Sequence, residues 1–345
     1  MKEKELLTAS SQNALLACMR RYYYRYELCL QHTTEKAALR FGSAWHRAME
    51  ARWHGATGEN ALAAAIADVE TLDEMQVATL TGLLMGYYNA YQSEPVSELM
   101  PEQQFHMPIE RSNSFEAAGK IDGLGKLIDG RAVLVEHKTT IDSVAPDSDY
   151  WTMLRFNIQI LQYIHAAREM QIPIEVVLYD VTRKPAISPK AIPILDENGC
   201  KTVLDANGQR VYKKDGKPRE SAGEAMTLQT RIETPEEFAS RLSEDTTARP
   251  DFYFARREIP VLDTDINEFV VQRLEIGRII LALRQAQKKV AKPHQAWPRN
   301  CSKFTCAGCE FKDFCLQNID VNPEQPPAGF VVTEKHRELA GGGSL

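Results

Sequence analysis

The chain has 345 residues, of which 43% are hydrophobic and 26% charged; 41 Lys and Arg stand against 47 Asp and Glu, for a formal net charge of −6. That length accommodates one large domain or two ordinary ones, and the composition excludes collagen-like, disordered and small disulfide-scaffold classes. The negative balance excludes a uniformly basic coat for nucleic acid while leaving room for a local basic groove, and no apolar run approaches the ~18 residues of a membrane-spanning helix.

The N-terminal Met-Lys-Glu-Lys-Glu is charged and no apolar signal core follows it, so a cytoplasmic protein is expected. The first 92 residues read as helices. Ser10 or Ser11 is a candidate cap for a helix over 10–26, with Leu15, Leu16, Met19 and Tyr23 on one face. Further helices are predicted over 36–54, 61–69 and 75–91. Strands follow over 103–109, 115–121 and 131–138, punctuated by the turn signals Asp122-Gly123 and Asp129-Gly130. An amphipathic helix is predicted over 151–170 and a doubly buried strand over 174–181. Residues 185–230 carry three turn signals, at Asn198-Gly199, Asn207-Gly208 and Asp215-Gly216, and read as exposed hairpins. A helix over 235–244, a strand over 251–259 and a long helix over 263–290 complete the order. The Pro- and Gly-rich tail after Asn318 is expected to be mobile. This succession predicts a mixed sheet flanked by helices, an α/β or α+β core.

Seven cysteines occur, at 18, 29, 200, 301, 306, 309 and 315. An odd number in a chain with no export signal argues against a disulfide framework. Cys306, Cys309 and Cys315 have the spacing C-x2-C-x5-C, natural for soft-metal ligands. A fourth ligand is needed for tetrahedral zinc or a four-iron cluster; Cys301 is near in sequence and Cys18 is remote.

A second constellation surrounds the strand Ala132-Val-Leu-Val-Glu136-His137-Lys138. Alternation puts Glu136 and Lys138 on one face and His137 on the other. Acid-x-Lys alone is weak, since Asp215-Gly-Lys217 and Glu310-Phe-Lys312 repeat it in settings that look exposed. Here, however, the charges close a buried-type strand, where they are costly unless paired or bound to something. If the preceding strand forms a hairpin with this one, Asp122 lies beside Glu136. Two adjacent carboxylates repel, and a divalent cation such as Mg2+ relieves the repulsion. Lys138 would then stand beside the attacking water and the phosphate. The bland alternative is a surface Glu–Lys pair next to a turn aspartate. Gln159 and Tyr163, four apart on the following helix, can reach one site together, although Gln162 suits an ordinary polar face equally well.

With these residues in this order the chain resembles the PD-(D/E)XK nuclease superfamily, in its RecB-like branch, which includes nuclease domains of bacterial recombination helicase–nucleases, CRISPR-associated adaptation nucleases and phage exonucleases. That branch carries a helical His, then Asp, then Glu/Asp-x-Lys, then Gln-x3-Tyr. The matching residues here are His46 in Gly42-Ser-Ala-Trp-His46, Asp122 after Gly119-Lys-Ile, Glu136-His137-Lys138, and Gln159-Ile-Leu-Gln-Tyr163. The resemblance implies a restriction-endonuclease-like fold, with an N-terminal helical region and a C-terminal cysteine cluster. It implies Mg2+ or Mn2+ held by His46, Asp122, Glu136 and the backbone carbonyl of His137. It casts Lys138 as activator of the attacking water, with Gln159 and Tyr163 supporting the lysine and the DNA backbone. Iron–sulfur members of the branch carry one cysteine before a basic–aromatic run and three at the end with this same spacing. This implies a structural [4Fe–4S] cluster on Cys18, Cys306, Cys309 and Cys315, with Cys301 competing with Cys306. One nuclease domain over 1–318 is then expected, comprising a helical part (10–92), a catalytic core (102–182), the insertion (185–230) and a return with the cysteines (235–318), before a flexible tail (319–345).

The function this implies is a metal-dependent DNA exonuclease of phage or bacterial recombination, repair or DNA processing. Its partners would be single-stranded DNA or duplex ends and a recombination protein, with no membrane. No Walker A loop is present, so unwinding would come from elsewhere. Arg20 to Tyr26 interleave basic and aromatic side chains, and Arg284, Lys288, Lys289, Lys292, Arg299 and Lys303 form a second basic stretch. Together they are candidates for a positive, stacking groove, against the plainer reading of a solvated face and core tyrosines. The competing functions are a non-catalytic iron–sulfur DNA-binding accessory protein and a zinc protein using Cys301, Cys306, Cys309 and Cys315.

Overall fold

A computed structural model of the chain describes residues 3–34, 36–67, 72–336 and 339. A short strand, β1 (Glu5–Leu7), precedes the first helix because Thr8, not Ser10 or Ser11, is the cap: its hydroxyl accepts the Ser11 N–H at 3.2 Å. The helix predicted over 10–26 is broken into α1 (Ala9–Ala17) and α2 (Met19–Tyr22), with Cys18 extended between them and a π-helical turn over Tyr23–Glu27 after them. β2 (Leu30–His32), α3 (Ala37–Trp53), α4 (Gly58–Ile66) and α5 (Glu74–Ala90) follow. Positions 68 and 69, the predicted end of the third helix, lie outside the described residues.

The strands β3 (Val96–Pro108), β4 (Phe115–Leu127) and β5 (Ala132–Thr140) come next. Asp122-Gly123 is not a turn. β4 runs through it, and Gly123 is glycine because the Trp53 ring of α3 occupies the space a Cβ would need. The turn is made at Asp129-Gly130 instead, where Gly130 has φ 90°. The helix predicted over 151–170 is two helices, α6 (Asp149–Leu154) and α7 (Ile158–Glu169). The Asn157 side chain accepts the Gln159 N–H at 2.9 Å and starts the second one afresh.

β6 (Val176–Arg183) is buried at all but its last residue. The strands β7 (Ala191–Pro193), β8 (Val203–Asp205), β9 (Met226–Leu228) and β10 (Thr230–Ile232) are short, and Gly199, Gly208 and Gly216 take φ values of 75°, 77° and 78° at the turns. Then come α8 (Pro235–Ala248), α9 (Pro250–Tyr253), β11 (Phe254–Pro260), α10 (Asp263–Gln287), α11 (Lys303–Ala307), α12 (Lys312–Leu316) and β12 (Phe330–Val332). Within the tail expected to be mobile over 319–345, Phe330–Val332 is instead built in as β12, which pairs antiparallel with β2 while Phe330 packs on Phe311 and Phe314 at 5.8 and 5.2 Å. One aromatic anchor outweighs the Pro and Gly around it. Positions 337, 338 and 340–345 lie outside the described residues.

The central sheet has the order β1-β4-β5-β6-β11, with β3 on the other edge of β4. β1 and β4 are parallel, as are β5 and β6; β3, β5 and β11 run antiparallel to their neighbours β4, β4 and β6. The fold is a mixed α/β one, a mixed sheet flanked by helices. On one face, Leu134, Val177, Tyr179 and Val181 join a core with α7 and α10; on the other, Val133, Val135, Val176 and Leu178 cluster with Trp53 and Leu99. A further cluster, including Trp45, Leu83, Tyr87, Phe238 and Leu242, unites α3, α5 and α8.

α5 and α8 meet through two glycines one turn apart. A Cβ on Gly82 would lie 2.9 Å from Leu242, and one on Gly86 would run into Thr246. Gly86→Val should therefore destabilise the protein by about 1–3 kcal/mol through overpacking, read as a lower urea midpoint; an unchanged midpoint would contradict this packing.

Candidate active site

Pairing between β4 and β5 stops at Gly123↔Val135, and at its other end the same edge of β4 is taken by β1 over Phe115–Ala117. The strands part in between, and the next residues in register, Asp122 and Glu136, line the notch. Gln162, fully buried, spans its closed side. Its Nε2 donates to the Ala118 carbonyl at 2.9 Å and the Leu7 carbonyl at 3.3 Å, and its Oε1 accepts from Gln12 at 2.7 Å. Gln162 thus belongs to the scaffold.

Within the notch the His137 N–H, released from the ladder, donates to Asp122 Oδ2 at 2.9 Å. His46 Nδ1, from α3, lies 3.3 Å from the same oxygen. The Lys138 ammonium pairs with the Glu136 carboxylate and donates to Gln159 Oε1 at 2.8 Å. Gln159 Nε2 in turn donates to the Tyr163 hydroxyl at 3.1 Å. The structure therefore brings His46, Asp122, Glu136, Lys138, Gln159 and Tyr163 to one place.

The two acids are driven apart electrostatically. Glu136 is fully buried; burial and the Asp122 charge push its carboxyl above the usual carboxylate range. Its Oε2 accepts no hydrogen bond. Burial works on Asp122 in the same sense, but His46, His137 and Lys138 outweigh it and hold Asp122 well below its ordinary value. Burial also pulls Lys138 and His46 down, and the neighbouring carboxylates more than reverse this for both. Such a pair titrates as a unit, with one member ionised and the other short of positive charge.

The His137 ring turns to the opposite face. It packs on Trp53 at 4.4 Å between ring centres, and its Nδ1 is 3.5 Å from Asp180 Oδ2. Only the backbone of His137 is left to serve the notch. Asp180 was not singled out in the sequence. It is 2% exposed on β6, accepts a hydrogen bond from the Tyr87 hydroxyl, and takes Arg256 Nε at 3.2 Å. Arg256 also donates to Tyr87 at 2.8 Å, pairs with Glu94, and lies 3.8 Å over the Tyr91 ring; Glu94 also pairs with Arg52 at 2.6 Å. The signal was present: within the strand predicted over 174–181 Glu175 stands at the start, whereas Asp180 lies among apolar residues near the other end, and a buried strand charge demands a partner.

Cys18, Cys301, Cys306, Cys309 and Cys315 line one pocket between the chain's two ends, all as free thiols, and the Asn300 N–H donates to Cys18 Sγ at 3.4 Å. Cys29 and Cys200 are not among its lining residues. Tyr22, Tyr23, Tyr24 and Tyr26 are buried, Tyr22 and Tyr23 against Trp297 and Tyr24 against Phe311 and Phe314. This run is core, not a stacking groove. Arg20 is buried with its Nε on the Trp297 carbonyl, and Arg284 pairs with Glu5 and Glu27. Of the second basic stretch, Lys288, Lys289 and Lys303 remain exposed without an ion pair among the described residues.

Among the described residues, no three His, Cys, Asp or Glu side chains are gathered closely enough to hold a metal ion as they stand. The donor chemistry of the notch nevertheless suits a hard cation: two facing carboxylates, an unpartnered buried oxygen on Glu136, and His46 at the rim.

The family model of the PD-(D/E)XK nuclease superfamily matches residues 6–316. The chain belongs to the PD-(D/E)XK nuclease superfamily. The match runs from β1 to α12 and encloses both the notch and the cysteine pocket. Members of this superfamily typically use divalent metals such as Mg2+, and the mixed sheet accords with their restriction-endonuclease-like fold. No curated protein matches the chain. A solved structure titled "Crystal structure of SSO0001" aligns over 92% of this chain and 89% of its own at 9% identity, with a TM-score of 0.30, too distant a likeness to carry an argument. Among the described residues no helix is long and apolar enough to cross a membrane.

Removing Asp180 would take from Arg256 one of its two carboxylates, leaving Glu94, and would strip the buried Tyr87 hydroxyl and His137 ring of their charged partner. Asp180→Ala should cost about 3–5 kcal/mol in chemical denaturation, the usual penalty for breaking a buried pair. A loss below about 1 kcal/mol, the value of an exposed pair, would show that Asp180 is not part of a desolvated network.

Proposed function

We propose that this nuclease-superfamily chain is a Mg2+- or Mn2+-dependent DNA exonuclease of the RecB-like, iron–sulfur type, hydrolysing phosphodiester bonds at DNA ends. The observation that carries the reading is the unbroken run of contacts from His46 through Asp122 and the strand 136–138 to Gln159 and Tyr163. His46, Asp122, Glu136 and the His137 carbonyl hold the divalent ion. When bound, that ion supplies a Lewis acid and eases deprotonation of the attacking water.

The chain's own residues do the rest. Glu136 and Gln159 grip the Lys138 ammonium from two sides, so its charge is aimed rather than free to rotate. It orients the water and stabilises the negative charge that builds on the phosphate. Gln159 is fixed at its backbone by Asn157 and at its side chain by Tyr163, and so acts as a strut for Lys138. Tyr163 is 7% exposed, with its ring edge on Phe105.

Four of the five pocket thiols, Cys18, Cys309 and Cys315 with Cys306 or, in its place, Cys301, hold a [4Fe–4S] cluster. Four thiolates are what such a cluster requires, and five free ones line the pocket. The cluster's role is to staple the two ends of a single nuclease domain, lowering the chain entropy of a loop of nearly 300 residues. The setting, recombination or repair of phage or bacterial DNA with a protein partner, rests on the resemblance alone.

End-labelled linear DNA and closed circles, each with Mg2+ or Mn2+, test the activity. Linear DNA should be degraded and circles spared; equal attack on circles overturns the exonuclease reading. Lys138→Ala and Asp122→Ala should each lower cleavage by at least about 100-fold with an unchanged circular dichroism spectrum. Full activity in Lys138→Ala sinks the site, and binding without cleavage under every metal favours the non-catalytic accessory protein. Anaerobically purified protein should be brown, with about four iron and four sulfide per chain, and Cys309→Ser should lose both; zinc in place of iron would refute the cluster.

A further inference from the structure

Beyond β6 the chain leaves the sheet as an arm, 190–233, whose root is fixed. The Lys184 N–H donates to the Thr140 carbonyl at 2.7 Å, so β6 ends beside β5 two residues past Lys138, about 7 Å of strand. Glu233, 5% exposed, closes the root. Its Oε2 accepts the Lys190 N–H at 3.0 Å and pairs with Arg241 at 2.6 Å, and Arg241 also donates to the Ser188 carbonyl at 2.9 Å.

Within the arm one hairpin is built three times. Thr202 donates to the Ile194 carbonyl, Val211 to that of Val203 and Arg219 to that of Val211, at 2.9, 2.9 and 3.0 Å. Inside these, Leu195 bridges Lys201, Leu204 bridges Arg210 and Tyr212 bridges Pro218. The turns close alike, by the N–H of Asp196 on Cys200, of Asp205 on Gln209 and of Lys213 on Lys217, at 2.9, 2.8 and 2.8 Å. Gly199, Gly208 and Gly216 take the same place in each turn.

Because the backbone is the same, it does not dictate how the side chains differ. The first two turns begin with aspartate, and each aspartate puts Oδ1 on two turn N–H groups. Asp196 accepts from Asn198 and Cys200 at 2.9 and 2.8 Å, and Asp205 from Asn207 and Gln209 at 2.8 and 2.9 Å. The third turn begins with Lys213 and keeps one such bond, from the Lys217 N–H to Asp215 Oδ1 at 3.1 Å. Lys213 and Lys217 also face each other across the hairpin, where like charges destabilise, and Lys214 follows in the turn itself.

Charge changes along the series. The first hairpin has two acids against Lys201, and the second has Asp205 against Arg210, which pairs with Asp196 at 2.7 Å. The third has Lys213, Lys214, Lys217 and Arg219 against Asp215 alone. Its three lysines are exposed, and none makes an ion pair among the described residues. A hairpin that forgoes a turn bond and crowds three ammonium groups departs from its own local pattern, the mark of a residue set chosen for something outside the chain.

We propose that the third hairpin grips the DNA backbone outside the catalytic notch, with Lys213, Lys214 and Lys217 on phosphates. This rests on the nuclease reading above, which supplies the polyanion, and on the root of the arm lying at the Lys138 end of β5. In a chain of net charge −6, gathering positive charge at one place is what attracts a polyanion. Phosphate contacts hold and orient DNA without reading its sequence. Tyr212, 57% exposed where the other hairpins have leucine, adds a hydroxyl for a phosphate oxygen.

The test is fluorescence anisotropy of the full chain with a short labelled duplex and the same single strand, in chelator so that no DNA is cut, over a series of KCl concentrations. In Lys213→Gln/Lys214→Gln/Lys217→Gln the slope of log affinity against log salt should become shallower by about 3, one unit per lysine. The matching triple Lys→Arg variant should keep the wild-type slope. Folding is checked with Lys213→Asp/Lys214→Ala/Lys217→Gln, which carries the second hairpin's side chains and should keep or raise the urea midpoint. An unchanged slope in the glutamine variant overturns the grip and turns the lysines towards an acidic protein surface. With Mg2+ or Mn2+, the glutamine variant should raise KM for linear DNA and leave kcat unchanged, since no residue of the notch is touched. A shallower slope in a chain that cuts nothing supports the grip while the nuclease activity falls; cleavage with an unchanged slope does the reverse.

Discussion

Glu136, His137 and Lys138 follow the apolar, buried run Val133–Val135 within β5, and strand alternation sends them to opposite faces of the sheet. Burying polar groups on both sides of one strand is tolerable only if both sides compensate. The surrounding architecture meets that demand. On one side stand Asp122 from β4, His46 from α3 and Gln159 and Tyr163 from α7. On the other stand Asp180 from β6, Arg256 from β11 and Tyr87 from α5. Six elements each direct a side chain to a stretch of three residues, which is why the sheet order and the helix packing cannot vary independently of the site.

Much of the front side was legible in the sequence because its chemistry is local. A charged pair closing an apolar strand, a carboxylate ahead of it, and Gln and Tyr at helical spacing are patterns that one strand or one helix displays by itself. The back side was not legible, since its members come from three separate elements and only Asp180 has a local anomaly to betray it. Errors of boundary share a cause: side chains overruled composition. Thr8 took the cap from Ser10 and Ser11, Asn157 cut one predicted helix into two, and Trp53 let β4 run through an Asp-Gly pair that reads as a turn. Phe330 likewise ordered a stretch rich in Pro and Gly.

The tyrosines at 22, 23, 24 and 26 show why an aromatic–basic run is a poor guide on its own. Their spacing fits a surface groove as well as a buried seam, and the choice is made by a partner more than 270 residues away. Trp297, Phe311 and Phe314 provide that partner, and Arg20 binds a backbone carbonyl in the seam. The two ends of the chain are thus joined by aromatic packing around the cysteine pocket, whatever the thiols hold.

The two sides of β5 differ in one respect that bears on function. Behind the strand the charges balance: Asp180 and Glu94 face Arg256 and Arg52, and every one of them contacts a charge of opposite sign. In front they do not. Asp122 and Glu136 face one lysine and a histidine at the rim; a buried carboxylate oxygen without a donor occurs on both sides, on Glu136 in front and on Asp180 behind, so the difference lies in the balance of charge. A closed network gains nothing from an added cation, whereas an open one gains the relief of carboxylate repulsion. Of the two sides of β5, the notch is therefore the one that favours positive charge arriving from solution, while the balanced network behind holds the strand.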